Sequence, residues 1–401
     1  MRLRVVPLGS GASAERAGTV VATPTAKQIA VVDSEAGVDR GAGVATVLDV
    51  ARAAGVSTAT AARALGGYGS VSPATLQRVQ DAAAEIGYRA NGLARSMITG
   101  QTHSIGVVLA DIENPFFYGV LRGISDTARA RGYDVLLANT DEDPDDERKA
   151  VSALFERRIE GLILCPVEGD EHAQLRAMVR SNVPIVLLDR PAPGLSVDSV
   201  GLDNRRAAYD ATTHLIELGH RRISLVTGGT PAAEAALRRP GMVDVERIPF
   251  TTLGSRAAGY RDALRDAGIR PRAEYLTAGG FRRDDATESV RRLMALPEPP
   301  TAVVAFDSIL AMGVLLGLRR AGLRCPDDVS VIGFDDAEWA EVVSPSLSVL
   351  RQPVHEIGVK ACDLLLRRIA DPQRKRRHHR LAGTLVPRGS TAAPPKARLR
   401  P

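Results

Sequence analysis

The sequence predicts a small all-α module followed by an α/β core of two doubly wound subdomains. Between residues 46 and 90, apolar side chains recur at helical spacing in three short segments. From about residue 103, short β-type runs alternate with amphipathic helices, which is typical of parallel sheets covered by helices on both faces. At 401 residues the chain is long enough for two or three domains with separate cores.

Composition is that of an ordinary globular protein, with 44% hydrophobic and 25% charged residues. No apolar run reaches the length of a transmembrane helix, and charges with Pro7 interrupt the first residues before a signal peptide could form. Cys165, Cys325 and Cys362 stand far apart, without disulfide or metal spacing. We therefore expect a cytoplasmic protein with no membrane association, no bound metal and buried, unpaired cysteines.

The net charge of +5 is unevenly distributed along the chain. From Arg367 to the end, eleven Lys or Arg residues face one Asp, which leaves about −5 for the rest. This basic segment is consistent with contact to nucleic acid and equally with a solvated loop.

Residues 1–45 show neither helical nor strand periodicity, and we interpret them as a disordered extension or as the product of an upstream start codon. The first helix then begins in "TVLDVARAAGV", where Thr46 and Asp49 form a capping-box pattern and Gly55 provides the end. Ser57 is placed to cap the second helix, "TATAARALGG", after a turn of only a few residues.

The third predicted helix lies in "SPATLQRVQDAAAEIGY". Ser72 is its expected cap, Pro73 its first residue and Gly87 its end. Two short helices joined through Gly55 indicate a helix-turn-helix, and an ordinary three-helix domain is the alternative. In a helix-turn-helix, the small residues Thr58 and Ala59 would let the second helix enter the major groove.

In the core, seven runs are predicted to be buried parallel strands: "SIGVVLAD", "DVLLANT", "GLILCPV", "IVLLDR", "RISLVTGG", "TAVVAFD" and "VSVIGFDD". The sequence contains no H-E-x-x-H, G-x-S-x-G or S-x-x-K pattern, and its seven histidines are scattered. We therefore expect no catalytic residues and no cofactor.

Several stretches together resemble the LacI/GalR family of bacterial transcriptional regulators. They include "TVLDVARAAGVSTATAARALGG", "GYRANGLARSMITGQTHSIGVVLADIENPFF", "VGLDNRRAAYDATTHLIELGHRRISLVTG" and "CPDDVSVIGFDD". The resemblance implies a DNA-binding headpiece at 46–90, a hinge helix at 91–100 and a C-terminal tail at 391–401. Between them, residues 101–390 would form an effector-binding and dimerisation core of two Rossmann-like subdomains, similar to a periplasmic binding protein.

The resemblance also implies which residues contact DNA. In the headpiece and hinge they are Thr58, Ala59, Thr60, Arg63, Asn91, Ala94, Arg95 and Met97. Met97 stands where the family inserts a Leu wedge into the minor groove, and the short hinge would be ordered only on bent DNA. This chain departs from the family at Gly92, a poor helix former, which predicts weaker or more effector-sensitive operator binding.

Effector contacts are likewise implied by resemblance. They are Phe116, Phe117, Asp189, Arg256, Phe281, Phe306, Asp335 and Gln352. Asp189 is expected to lie at a crossover between the subdomains, as is Gln352, while Asp307 is expected to cap a helix. A carboxylate and a guanidinium facing each other across a cleft suit a hydroxyl-rich ligand such as a sugar. Phe306 occupies a position where Asn is common in the family.

These observations predict a homodimeric regulator, most simply a repressor, that binds a pseudo-palindromic operator under control of a small carbohydrate. A transport-associated solute-binding protein is the alternative, but it would need a secretion signal and no headpiece. An enzyme on the same scaffold would need a catalytic constellation. The long segment 230–254 is open to two interpretations, a lid on the cleft or a disordered surface loop.

Overall fold

A computed structural model describes residues 45–66, 69–88, 101–167, 172–229 and 252–395. The chain divides into two compact units, residues 1–89 and 90–401, and each is described by itself. The predictions for residues 1–44, for the hinge at 91–100 and for residues 230–251 lie outside the described residues.

In the first unit the described residues form three helices, α1 (Val47–Ala54), α2 (Thr58–Gly66) and α3 (Pro73–Glu85). Thr46 and Asp49 form the predicted capping box, and Ser72 caps α3 with Pro73 in its first turn. Gly55 ends α1 at φ 64°, a left-handed conformation that favours glycine. The predicted boundaries are therefore confirmed.

A small apolar core joins the three helices. Val50 from α1, Ala61 from α2 and Val79 from α3 are fully buried against one another's helices. Because the other five buried residues of this cluster are all alanines, the core has little volume.

The described residues of the second unit form twelve strands in two six-stranded sheets. The first subdomain begins with β1 (Ser104–Leu109), α4 (Pro115–Ala130), β2 (Asp134–Asn139), α5 (Pro144–Glu156), β3 (Gly161–Leu164), α6 (Ala173–Arg180), β4 (Ile185–Leu188) and β5 (Asp198–Leu202). The second subdomain contains α7 (Asn204–Glu217), β6 (Ile223–Gly228), α8 (Thr252–Asp266), β7 (Leu276–Gly279), α9 (Arg283–Met294), β8 (Ala302–Ala305), α10 (Ser308–Arg320), β9 (Ser330–Phe334), α11 (Trp339–Val342) and β10 (Ser348–Arg351). The chain then adds α12 (Val354–Ala370), β11 (His378–Leu381) and β12 (Thr384–Val386).

The chain passes between the two sheets three times. The first sheet has the order β11-β5-β4-β3-β1-β2 and the second β12-β10-β9-β8-β6-β7. Helix α7 packs on α8, whereas α12 returns to pack on α4, so the crossovers follow β5, β10 and β11. Gln352 lies at the second crossover, as predicted. Asp189 does not, because it connects β4 to β5 within one sheet, and that prediction was wrong.

All seven predicted strands form, but β2 is half-exposed rather than buried, because it is the edge strand of its sheet. The strands that the sequence did not reveal are β5, β7, β10, β11 and β12. They have only three to five residues, and β11, which reads "HHRL", is exposed except at Leu381. Length alone is not the cause, because the predicted strands β3, β4 and β8 have four residues each. The missed strands have interrupted apolar runs and are held by the neighbouring strand rather than by an apolar pattern.

Within the described residues, the basic C-terminal segment contributes the end of α12 and two strands, while residues 371–377 form a largely exposed connection between α12 and β11. Arg367 and Arg368 lie in the last turn of α12, and Arg368 pairs with the buried Asp198 at 3.0 Å. Beyond it the chain pairs with both sheets through β11 and β12. Thr391 and Ala392 still hydrogen-bond to the second subdomain, past the predicted start of the tail.

His220 anchors this C-terminal segment. Its ring is buried at the start of β6 and hydrogen-bonds Thr301 Oγ1 at 2.8 Å, Ser330 Oγ at 3.2 Å and the Ala392 carbonyl at 2.9 Å. His220 therefore has a structural role at the turn between α7 and β6. Burial lowers the pKa of His220, so the ring is held neutral in the folded chain.

We expect His220→Ala to lower the free energy of unfolding by about 2 kcal/mol, because its buried partners lose their hydrogen bonds. The folded-state pKa lies below the unfolded value of 6.5, so the wild-type contribution is complete above that pH and is lost as the pH falls. Urea unfolding at several pH values measures both effects. His355→Ala, at an exposed histidine, serves as the control and should leave stability within about 0.5 kcal/mol. Equal losses for the two variants would contradict the anchoring role.

Candidate functional sites

The N-terminus of α2 presents the predicted DNA-contact residues of the first unit. Thr58 and Ala59 are exposed, and Thr60 is half-buried with its hydroxyl 2.8 Å from Ser57 Oγ. Arg63 is exposed and lies back along α2, where its guanidinium donates to the Ala59 carbonyl at 3.3 Å and to Thr60 Oγ1 at 3.4 Å. The helix thus offers small side chains at its start and a cation one turn later. Asn91, Ala94, Arg95 and Met97 lie outside the described residues.

In the second unit a cavity of about 700 Å³ lies between the two sheets. Its wall consists largely of residues that follow the carboxyl ends of parallel strands, where ligands bind in such folds. All eight predicted effector residues line it: Phe116, Phe117, Asp189, Arg256, Phe281, Phe306, Asp335 and Gln352. The topology therefore brings together side chains that are up to 236 positions apart in the sequence.

Arg256, on the first turns of α8, is the central cation of the cavity wall. Its Nε donates to Asn204 Oδ1 at 2.7 Å, one terminal nitrogen donates to the Phe306 carbonyl, and the guanidinium lies 4.5 Å from the Phe334 ring centroid. Burial lowers the pKa of Arg256, against the opposing effect of Asp189, Asp335 and Asp307. An arginine stays charged even so, and this one is rigidly held.

Asp335 directly follows β9 and adopts a left-handed backbone at φ 66°. Its Oδ1 accepts a hydrogen bond of 2.7 Å from Gln352 Nε2, and both side chains are buried. Burial, reinforced by the nearby Asp307, raises the pKa of Asp335 to about 7, although Arg256 and Gln352 oppose the shift. The carboxyl group is therefore poised between its two protonation states near neutral pH.

Asp189 and Arg190 follow β4 and form a second charged cluster with Glu142. Arg190 is buried and makes a bidentate ion pair with Glu142, with both N–O distances 2.6 Å. Asp189 is also in the left-handed region, at φ 62°, and its Oδ2 accepts from Thr252 Oγ1 at 3.4 Å. Since Thr252 begins α8 of the opposite subdomain, this contact crosses the cavity.

Aromatic rings form the apolar part of the wall. Phe116 and Phe117 stack edge-to-face with centroids 5.0 Å apart, and Phe306 packs against Phe334 in the same way at 4.9 Å. Phe281 is 39% exposed, and its ring lies over Gly228 so closely that a Cβ there would come within 2.2 Å of it. Glycine at 228 thus lets an aromatic face reach the cavity.

Asp307 caps α10, as predicted, by accepting from Ile309 N at 2.7 Å. Its other oxygen accepts from Asn114 Nδ2 at 2.7 Å, which joins the two subdomains across the cavity. Burial raises the pKa of Asp307, against these hydrogen bonds. The sequence had shown the cap, but it had not shown that the same carboxyl lines the cavity.

Metal binding has no support in the described part of the chain. Those residues contain no group of three or more His, Cys, Asp or Glu side chains that could hold a metal ion. None of the helices within the described ranges is long and apolar enough to cross a membrane. Cys165 and Cys362 are buried and Cys325 is partly so, and all three are free thiols.

Comparison with known proteins identifies the family. The profile of "Bacterial regulatory proteins, lacI family" matches residues 46–91, and that of a "Periplasmic binding protein-like domain" matches residues 212–391. The HTH-type transcriptional repressor CytR of Escherichia coli (strain K12) is 34% identical over 351 residues, which is 88% of this chain and 97% of that protein. The chain belongs to the lacI family. It is therefore a DNA-binding transcriptional regulator.

Solved structures of the lacI family share the fold. A complex of the transcriptional regulator CelR with cellobiose has a TM-score of 0.62 at 28% identity, covering 86% of this chain and 99% of that one. A LacI family regulator from Enterococcus faecium with bound ribose has a TM-score of 0.61 at 28% identity, covering 72% and 98%. The predicted family and fold class are confirmed.

The family resemblance had missed three of the polar residues of the cavity wall, Asn114, Glu142 and Arg190. Asn114 could have been suspected, because it stands in "DIENPFF" beside two residues that were chosen. Arg190 follows the chosen Asp189 directly. No local sequence motif marks Glu142 as a cavity residue, since only the pairing of β2 with β1 places it near Arg190.

Proposed function

We propose that this lacI family member is a homodimeric repressor whose affinity for a pseudo-palindromic operator is controlled by a carbohydrate bound in the cavity. The observation that carries the proposal is the convergence of all eight predicted effector residues on one cavity between two subdomains. Related regulators with bound cellobiose and bound ribose support a sugar as the effector. As a cytoplasmic regulator, the chain would need no catalytic residues and no cofactor.

Each headpiece, residues 46–90, would read one half-site through Thr58, Ala59, Thr60 and Arg63, so two copies fit a pseudo-palindrome. The hinge at 91–100 would contribute Asn91, Ala94, Arg95 and Met97, with Met97 as the wedge in the minor groove. The core at 101–390 would bind the effector and join the two copies.

Coupling between ligand and DNA would act through the three crossovers. Phe116, Phe117 and Asp189 belong to the first subdomain, whereas Arg256, Phe281, Phe306 and Asp335 belong to the second. A ligand that contacts both sets favours one relative position of the subdomains, and a change in that position can alter the spacing of the hinges. The same linkage allows the ligand either to weaken or to strengthen operator binding. The sign of the coupling free energy decides which of the two occurs.

The test begins with selection of binding sites for the purified full chain from randomised duplex DNA. We expect a pseudo-palindromic consensus, affinity that falls steeply with salt, and a change in affinity when an active sugar is added. Fluorescence anisotropy measures each result. A chain that ignores every palindromic fragment, with or without sugars, would refute the proposal.

Gly92 gives a separate prediction for the hinge. Gly92→Ala should tighten operator binding by about fivefold per hinge, because alanine favours the helix by about 1 kcal/mol over glycine. Ser96→Gly is the matched change in the opposite direction and should weaken binding. Anisotropy titrations at constant salt compare the two variants. Unchanged operator affinity in Gly92→Ala would show that helix propensity does not limit the hinge.

A further inference from the structure

The charges around the cavity restrict what it can bind. Of its described lining residues, seven are carboxylates and four are arginines. One of the arginines, Arg190, is already neutralised by its bidentate pair with Glu142. Arg282 directly precedes α9 and Arg283 is its first residue, and both side chains are exposed. The Nε atom of Arg283 lies 3.4 Å from Asp284 Oδ1. The deep part of the cavity is therefore short of positive charge.

Three carboxylate residues of the wall, Asp189, Asp307 and Asp335, lie near the buried guanidinium of Arg256. Asp189, Asp307 and Asp335 each influence the pKa of Arg256, so all three lie within its electrostatic reach. The guanidinium is itself engaged with Asn204 and with the Phe306 carbonyl. An anionic group placed here would meet like charges in a desolvated site, which is strongly unfavourable.

The same wall has hydrogen-bond acceptors that lack donors. Asp189 Oδ1 and Gln352 Oε1 are shielded from solvent and have no hydrogen-bond partner. The two side chains line the cavity and are only 8% and 5% exposed. Buried acceptors without partners cost free energy, so a ligand that donates hydrogen bonds gains from satisfying them.

The third feature of the cavity is an apolar region of its wall. Phe116, Phe117 and Phe306 are buried, and with Leu253 and Ile309 they line part of the cavity. A phosphate or carboxylate directed at this wall would be desolvated without a partner. The partly exposed ring of Phe281, by contrast, suits the apolar face of a sugar ring or of a base attached to it.

We infer that the effector is an uncharged sugar with free hydroxyl groups, either alone or within a nucleoside, and that phosphate esters of the same sugars are excluded. The inference rests on the proposed function and narrows the ligand class of the same cavity. Hydroxyl groups supply the donors that the carboxylates and Gln352 lack, whereas a phosphate dianion has none.

The experiment is a matched panel against the full chain, read by isothermal titration calorimetry and then by operator binding. The uncharged arm contains ribose, glucose, cellobiose and uridine. The charged arm contains ribose 5-phosphate, glucose 6-phosphate and uridine monophosphate. We expect at least one uncharged compound to bind and to change operator affinity, and its phosphate ester to bind at least 100-fold more weakly. Uridine binding without ribose binding would assign the sugar to a nucleoside.

The variant Asp189→Asn tests the electrostatic argument, because asparagine also tolerates the left-handed backbone at this position. We expect it to weaken the uncharged ligand at least tenfold and to reduce the discrimination against its phosphate ester. Glu356→Gln, an exposed carboxylate on α12, is the matched control and should change neither value. A phosphate ester that binds as tightly as its parent sugar would overturn the inference while leaving sugar control of the operator intact. If no sugar of either arm binds or acts, both the inference and the proposed effector class fail.

Discussion

Asp335→Asn is expected to abolish the sugar response while making the free chain more stable at alkaline pH than the wild type. The loss of response follows from the position of Asp335 in the cavity wall, where it holds Gln352 and faces the ligand. We expect at least a hundredfold weaker ligand binding, in line with the loss of one partner from a buried charged hydrogen bond. Asparagine tolerates the left-handed backbone at 335, so the fold should be kept.

The gain in stability follows from the raised pKa of Asp335. In the folded chain this carboxyl titrates at a pKa of about 7, against 3.8 when it is exposed. Between these two values the folded state retains a proton that the unfolded state has lost, so the free energy of unfolding falls as pH rises. For wild type relative to Asp335→Asn, the change is roughly 2–3 kcal/mol between about pH 5 and pH 8.

Thermal and urea unfolding of both proteins across this range measures the effect. The neighbouring Asp336 provides a matched control: although burial opposes it, hydrogen bonds from Arg388 and Arg351 lower its pKa. Asp336→Asn should therefore be destabilised by a similar amount at about pH 5 and at about pH 8, since the Asp336 carboxylate is ionised throughout this range. A difference in unfolding free energy between wild type and Asp335→Asn that does not change with pH would show that the pKa of Asp335 is not raised by burial.

Arg256→Met is expected to lose both stability and effector binding. It removes the buried cation that lies near Asp189, Asp307 and Asp335, and it leaves Asn204 Oδ1 without its donor. Breaking such a buried arrangement by deleting one partner typically costs about 3–5 kcal/mol. Part of this cost can be relieved because the remaining carboxyl groups can take up protons, so the loss should be greatest at high pH.

Arg256→Lys separates the two effects. It keeps the positive charge but cannot reproduce the planar contacts with Asn204, the Phe306 carbonyl and the Phe334 ring. We expect smaller destabilisation than in Arg256→Met, with sugar binding still weakened by at least tenfold. Arg265→Met, on the exposed side of the same helix, should alter stability by less than about 1 kcal/mol and leave sugar binding intact. Wild-type sugar binding by Arg256→Lys would remove Arg256 from the site.

Sequence reasoning was most successful where a residue's local neighbours determine its structure. The caps at Thr46 and Ser72, the helix end at Gly55 and seven of the strands in the described residues were predicted correctly, because hydrogen bonds within a few residues or a local apolar run decide them. It failed at β11, whose polar "HHRL" becomes a strand only because β5 offers it a partner.

The cavity shows the same division. Family resemblance selected eight side chains that do meet in the cavity. They meet because most of them follow the carboxyl ends of parallel strands, which lie at the same edge of a sheet. Charge compensation, however, could not be deduced from the chain order. Glu142 neutralises Arg190 from 48 residues away, and Asn114 reaches Asp307 across 193 residues.

By itself, the amino-acid sequence determined the family, the three-helix unit and the parallel-sheet core, since periodicity, caps and motifs are properties of neighbouring residues. Only the tertiary structure decided three further properties. The pKa of Asp335 is raised to about 7, the charge of Arg190 is compensated by Glu142, and the basic C-terminal segment adds a strand to each sheet. The reason is physical: desolvation and Coulomb interactions depend on distances in space, and three crossings between the sheets bring together groups that the chain keeps far apart.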